Sequence, residues 1–262
     1  IAVHSMKDVP TALPKGIVQA AVLERANALD ILVHKGNLDF LDEEATIATG
    51  SLRRQAQWWN KYPNHTVVDL RGNVNTRLQK LHDNDWDGAV FAAAGLERIN
   101  LKPENHISLD WMTPAPAQGA IMVSCRENDA EIIEATQKLN DYETQVCVGI
   151  EREFLNLLEG GCTAPIGALA YVEQKTQEIN FKGILLKKDG SKKITVAKTA
   201  PLGRHRYLAK DCADFIINKG GKELMLEDEN GSVIKHTIYS TKKLSEAQKK
   251  VLPRTIEIHD SD

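Results

Sequence analysis

TIATGSLRRQAQWWNKYPNHTVVDLRGNVNTRLQKLHDNDWDGAVFAAAGLER, residues 46–98, alternates short β-prone runs with longer segments of helical period. It reads as strands at 46–49, 66–70 and 88–92 separated by helices at 52–61 and 74–83. Strands joined through crossover helices pair in parallel, so this β-α-β-α-β order predicts an α/β unit built on a parallel sheet. Ser51 and Asn73 stand where N-caps belong. Trp58 and Trp59, on the first helix, are explained first by core or interface packing.

Of the six arginines before Cys125, five fall inside this unit near strand-to-helix junctions: Arg53, Arg54, Arg71, Arg77 and Arg98. Arg53 and Arg54 follow Ser51 into the first helical turn, where the helix dipole disfavours cations; a bound anion would offset that cost. Helix starts offer free N–H groups, and guanidinium forks match carboxylates. Any one of these arginines is as well explained by a solvated surface. Five at the ligand-binding edge of one sheet predict a polyanion site. Neither GxxxxGK[ST] nor GxGxxG occurs, so carboxylates fit better than a nucleotide.

Upstream, residues 1–4 read as a strand ending in the polar loop 5–11, where open α/β sheets bind ligands. Lys7 and Asp8 in that loop would, taken alone, be a solvated ion pair. A strand at 17–23, a crossing at 24–29 and an apolar run at 31–33 lead into the central unit. Downstream, the turn-rich 114–119 precedes a strand at 120–125 that returns to the first unit, which makes a double hinge with a cleft between two α/β units.

After Asn140 a third unit begins. A helix at 146–158, with Val146, Ile150, Phe154, Leu157 and Leu158 on one side, stops at Gly160-Gly161 and leaves Cys162 on a loop. Strands follow at 166–172, 178–186 and 193–199, with Asp189-Gly190 as a hairpin turn. A helix at 204–219 ends at Gly220-Gly221, and the polar tail 235–262 is peripheral, anchored by Tyr239 and Leu244. Strands and helices together predict a small α+β domain. A thiol on such a loop can be a nucleophile or an attachment point, although a lone cysteine is more often a small buried residue.

The chain's 262 residues suffice for two or three compact units. A net charge of -3 with signs mixed throughout leaves no polybasic tract for nucleic acid or a membrane surface, so the expected partner is a small molecule. Its four cysteines lie far apart, with no metal-ligand spacing, which predicts reduced thiols, a cytoplasmic setting and no zinc. The chain begins at Ile1 inside a strand-like run, and sequence upstream is expected.

HSMKDVPTALPKG (4–16), ATGSLRRQAQ (48–57), LRGNVNTRLQKL (70–81), AAAGLER (92–98), PAPAQGA (114–120) and LEGGCTAPIGA (158–168) resemble, in order, motifs of the porphobilinogen deaminase (hydroxymethylbilane synthase) family. The resemblance implies two hinged α/β domains like type II periplasmic binding proteins plus a C-terminal α+β domain. On that template the divisions are 1–26 with 119–139 for an incomplete first domain, 27–118 for the second and 140–262 for the third. It further implies a monomer that joins four porphobilinogen molecules head to tail on a covalent dipyrromethane cofactor and releases hydroxymethylbilane by hydrolysis. Cys162 matches the cofactor's thioether anchor and Asp8 the catalytic aspartate. Lys7, Ser51, Arg53, Arg54 and Arg77 match cofactor-binding positions, and Ser5, Arg71, Arg98 and Gln118 match substrate-binding ones; no metal is implied.

The sequence departs from the family in four places. Gly50 stands for a second serine or threonine, Ala117 for a glycine, and Ala26-Asn27-Ala28 for an acidic-proline-arginine hinge. The family's opening segment, with an arginine-serine motif and a glycine-rich loop, has no counterpart, so the chain enters the first domain near its middle. The rival reading is a non-catalytic receptor, two hinged units capturing a small polycarboxylate, for which the Cys162 domain would be superfluous. A nucleic-acid binder is disfavoured by the charge and by the lack of aromatic-basic interleaving.

Overall fold

Three sheets organise residues 1–221. The first joins β1 (Ala2–Ser5), β2 (Ile17–Val22) and β8 (Ile121–Arg126) in the antiparallel order β1-β8-β2, so the chain leaves this sheet after Val22 and returns to it at Ile121. The second contains β3 (Asp30–His34), β4 (Thr46–Ala48), β5 (Thr66–Val68), β6 (Gly88–Ala92) and β7 (His106–Ser108) in the order β5-β4-β6-β3-β7. The third is the antiparallel set β9 (Ile166–Glu173), β10 (Glu178–Leu186) and β11 (Lys193–Pro201), ordered β11-β10-β9. Six α-helices accompany them among the described residues: α1 (Leu52–Lys61), α2 (Val74–Asp83), α3 (Ala93–Glu97), α4 (Ala130–Gln137), α5 (Tyr142–Glu159) and α6 (Leu208–Ile216). This computed structural model describes residues 1–159, 164–225, 236–240 and 256–260. Residues 222–262 form a separate compact unit, in which β12 (His236–Ser240) and β13 (Ile256–Asp260) pair in parallel. No described helix is long and apolar enough to cross a membrane.

The fold is mixed α/β. The predicted β-α-β-α-β unit forms, with β4 parallel to both β5 and β6, but the sheet is not wholly parallel, because β3 runs antiparallel to β6 and β7. β3 enters straight from the hinge rather than through a crossover helix, so nothing imposes a parallel pairing on it. Ser51 accepts the Arg54 N–H and Asn73 the Thr76 N–H, as N-caps should. Trp58 is fully buried among Tyr62, His65 and Trp111.

Two helices differ from their patterns. The third unit's long helix buries Cys147, Val148, Ile150, Glu151, Phe154 and Leu158, while Leu157 is exposed, so the apolar stripe lies one position round from the expected one. The segment expected as one helix over 204–219 is a 3-10 turn at Leu202–Arg204, then α6, then a widened turn at Ile217–Gly221 closed by Gly220 at φ +93°.

The two crossings run side by side: Ala26 N–H donates to Gly119 O at 3.2 Å, and a Cβ on Gly119 (φ +88°) would lie 2.7 Å from Ala26 O. Neighbouring Ala117 holds φ +61°, at the position where the resemblance noted above implies glycine; an L residue there costs about 1 kcal/mol. That backbone is fastened by a buried ion pair absent from the sequence reading. Arg25 Nη1 and Nη2 donate to the two Glu151 oxygens at 2.6 and 3.0 Å, and Glu151 also accepts Ala117 N–H at 2.6 Å and Ala170 N–H at 2.7 Å. Hinge, α5 and β9 thus share one carboxylate. The β10–β11 hairpin docks on α1, with Asn60 Nδ2 donating to Gly190 O at 2.9 Å and no room for a side chain at Gly190.

Candidate functional site

The 3-10 turn Met6–Asp8, the α1 and α2 starts and the second crossing enclose a cleft of about 320 Å³. Lys7, Asp8, Ser51, Arg53, Arg54, Arg71, Arg77 and Gln118 all line it, residues drawn from four separate stretches of sequence. Ser5 and Arg98 do not line it. Ser5 ends β1 just before the turn, and Arg98 Nη2 donates to Gly119 O at 2.6 Å, beside Gln118. Cys162 lies outside the described residues. Two other thiols are poor nucleophiles near neutral pH: burial, and then Glu151, push Cys147 up to about 12, and burial pushes Cys212 up to about 11.

The anion expected at Arg53 and Arg54 is partly supplied by the chain itself. Asp30 is fully buried. Its Oδ2 accepts Arg53 Nη1 at 2.7 Å, and its Oδ1 accepts Arg54 Nε at 3.0 Å and Nη2 at 2.8 Å. Burial alone would raise this carboxyl's pKa; Arg53 and then Arg54 more than reverse that and hold it well below the usual carboxylate range. Arg53 also donates to Thr113 O and Arg54 to Val90 O, so both guanidiniums are aimed by the protein before any ligand arrives. Asp30 escaped the sequence reading, although a carboxylate opening an apolar run was its signal.

The remaining cations are less committed. Arg77 Nε donates to Gly72 O at 2.7 Å, and its pKa is lowered by partial burial, then by Arg54 and Arg71. Arg71 pairs with exposed Asp69 at 3.0 Å. The Leu70 carbonyl and these two side chains fill the space beside Gly50, where a Cβ would lie 2.6 Å from Leu70 O, 3.2 Å from Asp69 Oδ1 and 3.3 Å from Arg71 Nε. Lys7 is exposed as a residue, but desolvation of its ammonium, then Arg54, bring its pKa from 10.5 down to about 8. Like charges held together in a cleft are relieved by an anionic ligand.

Two family descriptions match the chain: "Porphobilinogen deaminase, dipyromethane cofactor binding domain" over residues 1–134, and "Porphobilinogen deaminase, C-terminal domain" over residues 145–218. The chain belongs to the porphobilinogen deaminase family. It is 38% identical over 229 residues to the porphobilinogen deaminase of Alkaliphilus metalliredigens, covering 86% of this chain and 72% of that one. It is 40% identical over 235 residues to that of Campylobacter curvus, covering 87% and 75%. A probable porphobilinogen deaminase of Methanosarcina acetivorans is 40% identical over 230 residues, covering 87% and 72%. Among solved structures, the Bordetella pertussis BvgS periplasmic VFT2 domain overlaps 47% of this chain and 54% of its own at 18% identity, with a TM-score of 0.29, too loose to fix the fold.

The residues present fit the dipyrromethane group of this family. Gln118 Nε2 donates to Ala28 O at 2.8 Å and to Asp30 Oδ1 at 2.9 Å, which sets the amide's orientation and leaves Oε1 buried without a donor. A pyrrole N–H is the kind of donor that atom lacks, and the surrounding cations suit the ring carboxylates.

Proposed function

We propose that this chain, as a porphobilinogen deaminase, carries out its condensation in the Lys7–Asp8 cleft, with Asp8 at the reacting rings and Cys162 as the dipyrromethane anchor. The observation that carries the reading is the gathering of one exposed carboxylate, Asp8, with five cations, Lys7, Arg53, Arg54, Arg71 and Arg77, in one cleft. Porphobilinogen is a pyrrole bearing acetate, propionate and aminomethyl groups. Loss of ammonia leaves a methylene-pyrrole cation that a free pyrrole α-carbon attacks, and after four units hydrolysis releases hydroxymethylbilane. When bound, the dipyrromethane group supplies the terminal pyrrole carbon to which the first unit is added.

The protein's part is to bind and to offset charge. Ser51, Arg53, Arg54, Lys7 and Arg77 hold cofactor carboxylates, and Arg71 those of incoming substrate. Ser5, Arg98 and Gln118, in or next to the lining, contact the growing chain. Asp8 accepts pyrrole N–H bonds, stabilises positive charge developing on the ring, and takes up or returns a proton there. The division into 1–26 with 119–139, 27–118 and 140–262 belongs to this reading, supported by the three sheet memberships. A cytoplasmic protein without nucleic-acid or membrane partners belongs to this reading, supported by the mixed charge and by free Cys125, Cys147 and Cys212.

Intact mass and peptide mapping of protein made in cells that produce porphobilinogen test the assignment. A two-pyrrole adduct on the Cys162 peptide is expected, absent from Cys162→Ser. An unmodified protein that binds dicarboxylates without consuming porphobilinogen would overturn it in favour of a receptor.

Lys7 predicts a pH dependence. Protonated below about 8, it attracts carboxylates; as pH rises through that value the charge is lost. Carboxylate binding to the cofactor-free cleft should weaken roughly threefold to tenfold between pH 7 and 9 beyond any change in Lys7→Arg, because arginine does not titrate there. Parallel pH profiles in the two proteins would rule the effect out.

A further inference from the structure

Asp8 can act on a ring only if the turn bearing it is held still, and that turn holds little of itself. Met6–Asp8 is a single 3-10 turn with no side-chain cap, and Lys7 and Asp8 are exposed. Met6 anchors one end: it is buried in a cluster with Val22, Met122 and Val148, and its N–H donates to Ala120 O at 3.0 Å. The rest is gripped from α5. Arg152 Nη1 donates to Met6 O at 3.2 Å and to Val9 O at 2.9 Å, and Nη2 donates to Pro10 O. One helical turn on, Asn156 Oδ1 accepts the Thr11 hydroxyl at 3.2 Å. Residues four apart share a helix face, so one stripe of α5 holds the loop from Met6 to Thr11.

No carboxylate among the described residues pairs with Arg152, whose pKa burial lowers; its charge is answered by carbonyl dipoles of one loop. Bonds from a charged donor exceed neutral ones in strength, and a three-pronged set fixes direction as well as distance. The strut behind it is itself pinned, because the preceding residue, Glu151, is fully buried against Arg25 and the Ala117 and Ala170 amides. In sequence, Cys162 follows the end of α5 at Glu159 by three residues.

We infer that Arg152 is a positioning residue for the Lys7–Asp8 pair: by gathering the carbonyls of Met6, Val9 and Pro10 it sets where the Asp8 carboxylate stands relative to α5. This rests on the reading of Asp8 given above. A displacement of about 1 Å at a reacting centre costs on the order of a hundredfold in rate, so Arg152 acts on turnover without touching substrate.

Arg152→Met, Arg152→Lys, Asp8→Asn and the double variant Asp8→Asn/Arg152→Met, all cofactor-loaded, test it by amide hydrogen exchange at Lys7–Val9 and by steady-state kinetics. Arg152→Met should exchange there about tenfold faster or more, with α1 and β9–β11 unchanged, and lose roughly tenfold to hundredfold in kcat with little change in KM. Arg152→Lys, which keeps the charge but loses the fork, should fall between and carries the test if Arg152→Met loosens the whole fold. The double variant should be no slower than Asp8→Asn alone, as expected for residues acting as one unit. Wild-type exchange at Lys7–Val9, or additive losses of kcat, overturns the inference. Wild-type turnover by Asp8→Asn would instead overturn the role of Asp8, and is told apart because the faster exchange would persist.

Discussion

Asp8→Asn is expected to lower porphobilinogen turnover by about a hundredfold to ten-thousandfold, the range for losing a positioned acid-base or charge-stabilising group. Asparagine keeps the size of the side chain and one carbonyl acceptor, so substrate still enters. What disappears is the negative charge that opposes the cation formed when ammonia leaves, and the site that exchanges a proton with the ring. The residue is exposed, with no ion pair or core contact among the described residues, so the thermal midpoint should move by no more than about 1 °C. Mass spectrometry of stalled protein distinguishes a block in elongation from a failure to bind. A variant retaining more than about a tenth of wild-type turnover would show that the carboxylate's charge is not what the reaction needs.

Asp30→Asn should have the opposite profile, a large loss of stability from a residue with no expected contact to substrate. Removing the charge leaves Arg53 and Arg54 buried with only carbonyls to answer them. Breaking such a buried arrangement on one side costs about 3–5 kcal/mol, or roughly 10 °C in midpoint for a chain of this size. The sign with pH follows from the depressed carboxyl pKa. Asp30's contribution is fully present above the unfolded-chain value near 4 and is lost as pH falls towards the lower native value. Wild type and variant should therefore differ most at neutral pH and converge in strong acid, as urea unfolding at pH 7 and pH 3 would show. Asp30 also raises the Lys7 pKa, so the fall in carboxylate affinity should begin at lower pH in the variant. A change under about 1 kcal/mol at pH 7 would mean that the two guanidiniums find another counter-charge.

Much of the fold was legible where the code is local. The bounds of α1, α2, β6 and β10, the caps at Ser51 and Asn73 and the turn at Gly190 follow from period, side-chain capping and left-handed glycine, each decided within a few residues. β7, three residues long, and α4 were not seen, and β3's direction depended on a sheet assembled from distant strands. α5's true stripe was obscured because its buried face includes Glu151, which a reading by hydropathy places outside.

By itself the sequence determined the β-α-β-α-β order of the central unit, the ordered motifs that mark the porphobilinogen deaminase family, and most of the charged residues from which a carboxylate-binding site is drawn. Only the tertiary structure decided what each charge does. Asp30 meets Arg53 and Arg54 across 23 and 24 residues, Arg25 meets Glu151 across 126, and Arg152 meets the Met6 carbonyl across 146. Whether an arginine awaits a substrate, neutralises a buried aspartate or clamps a loop depends on distances in space and on the loss of water around it. Neither quantity is carried by residue type or spacing along the chain.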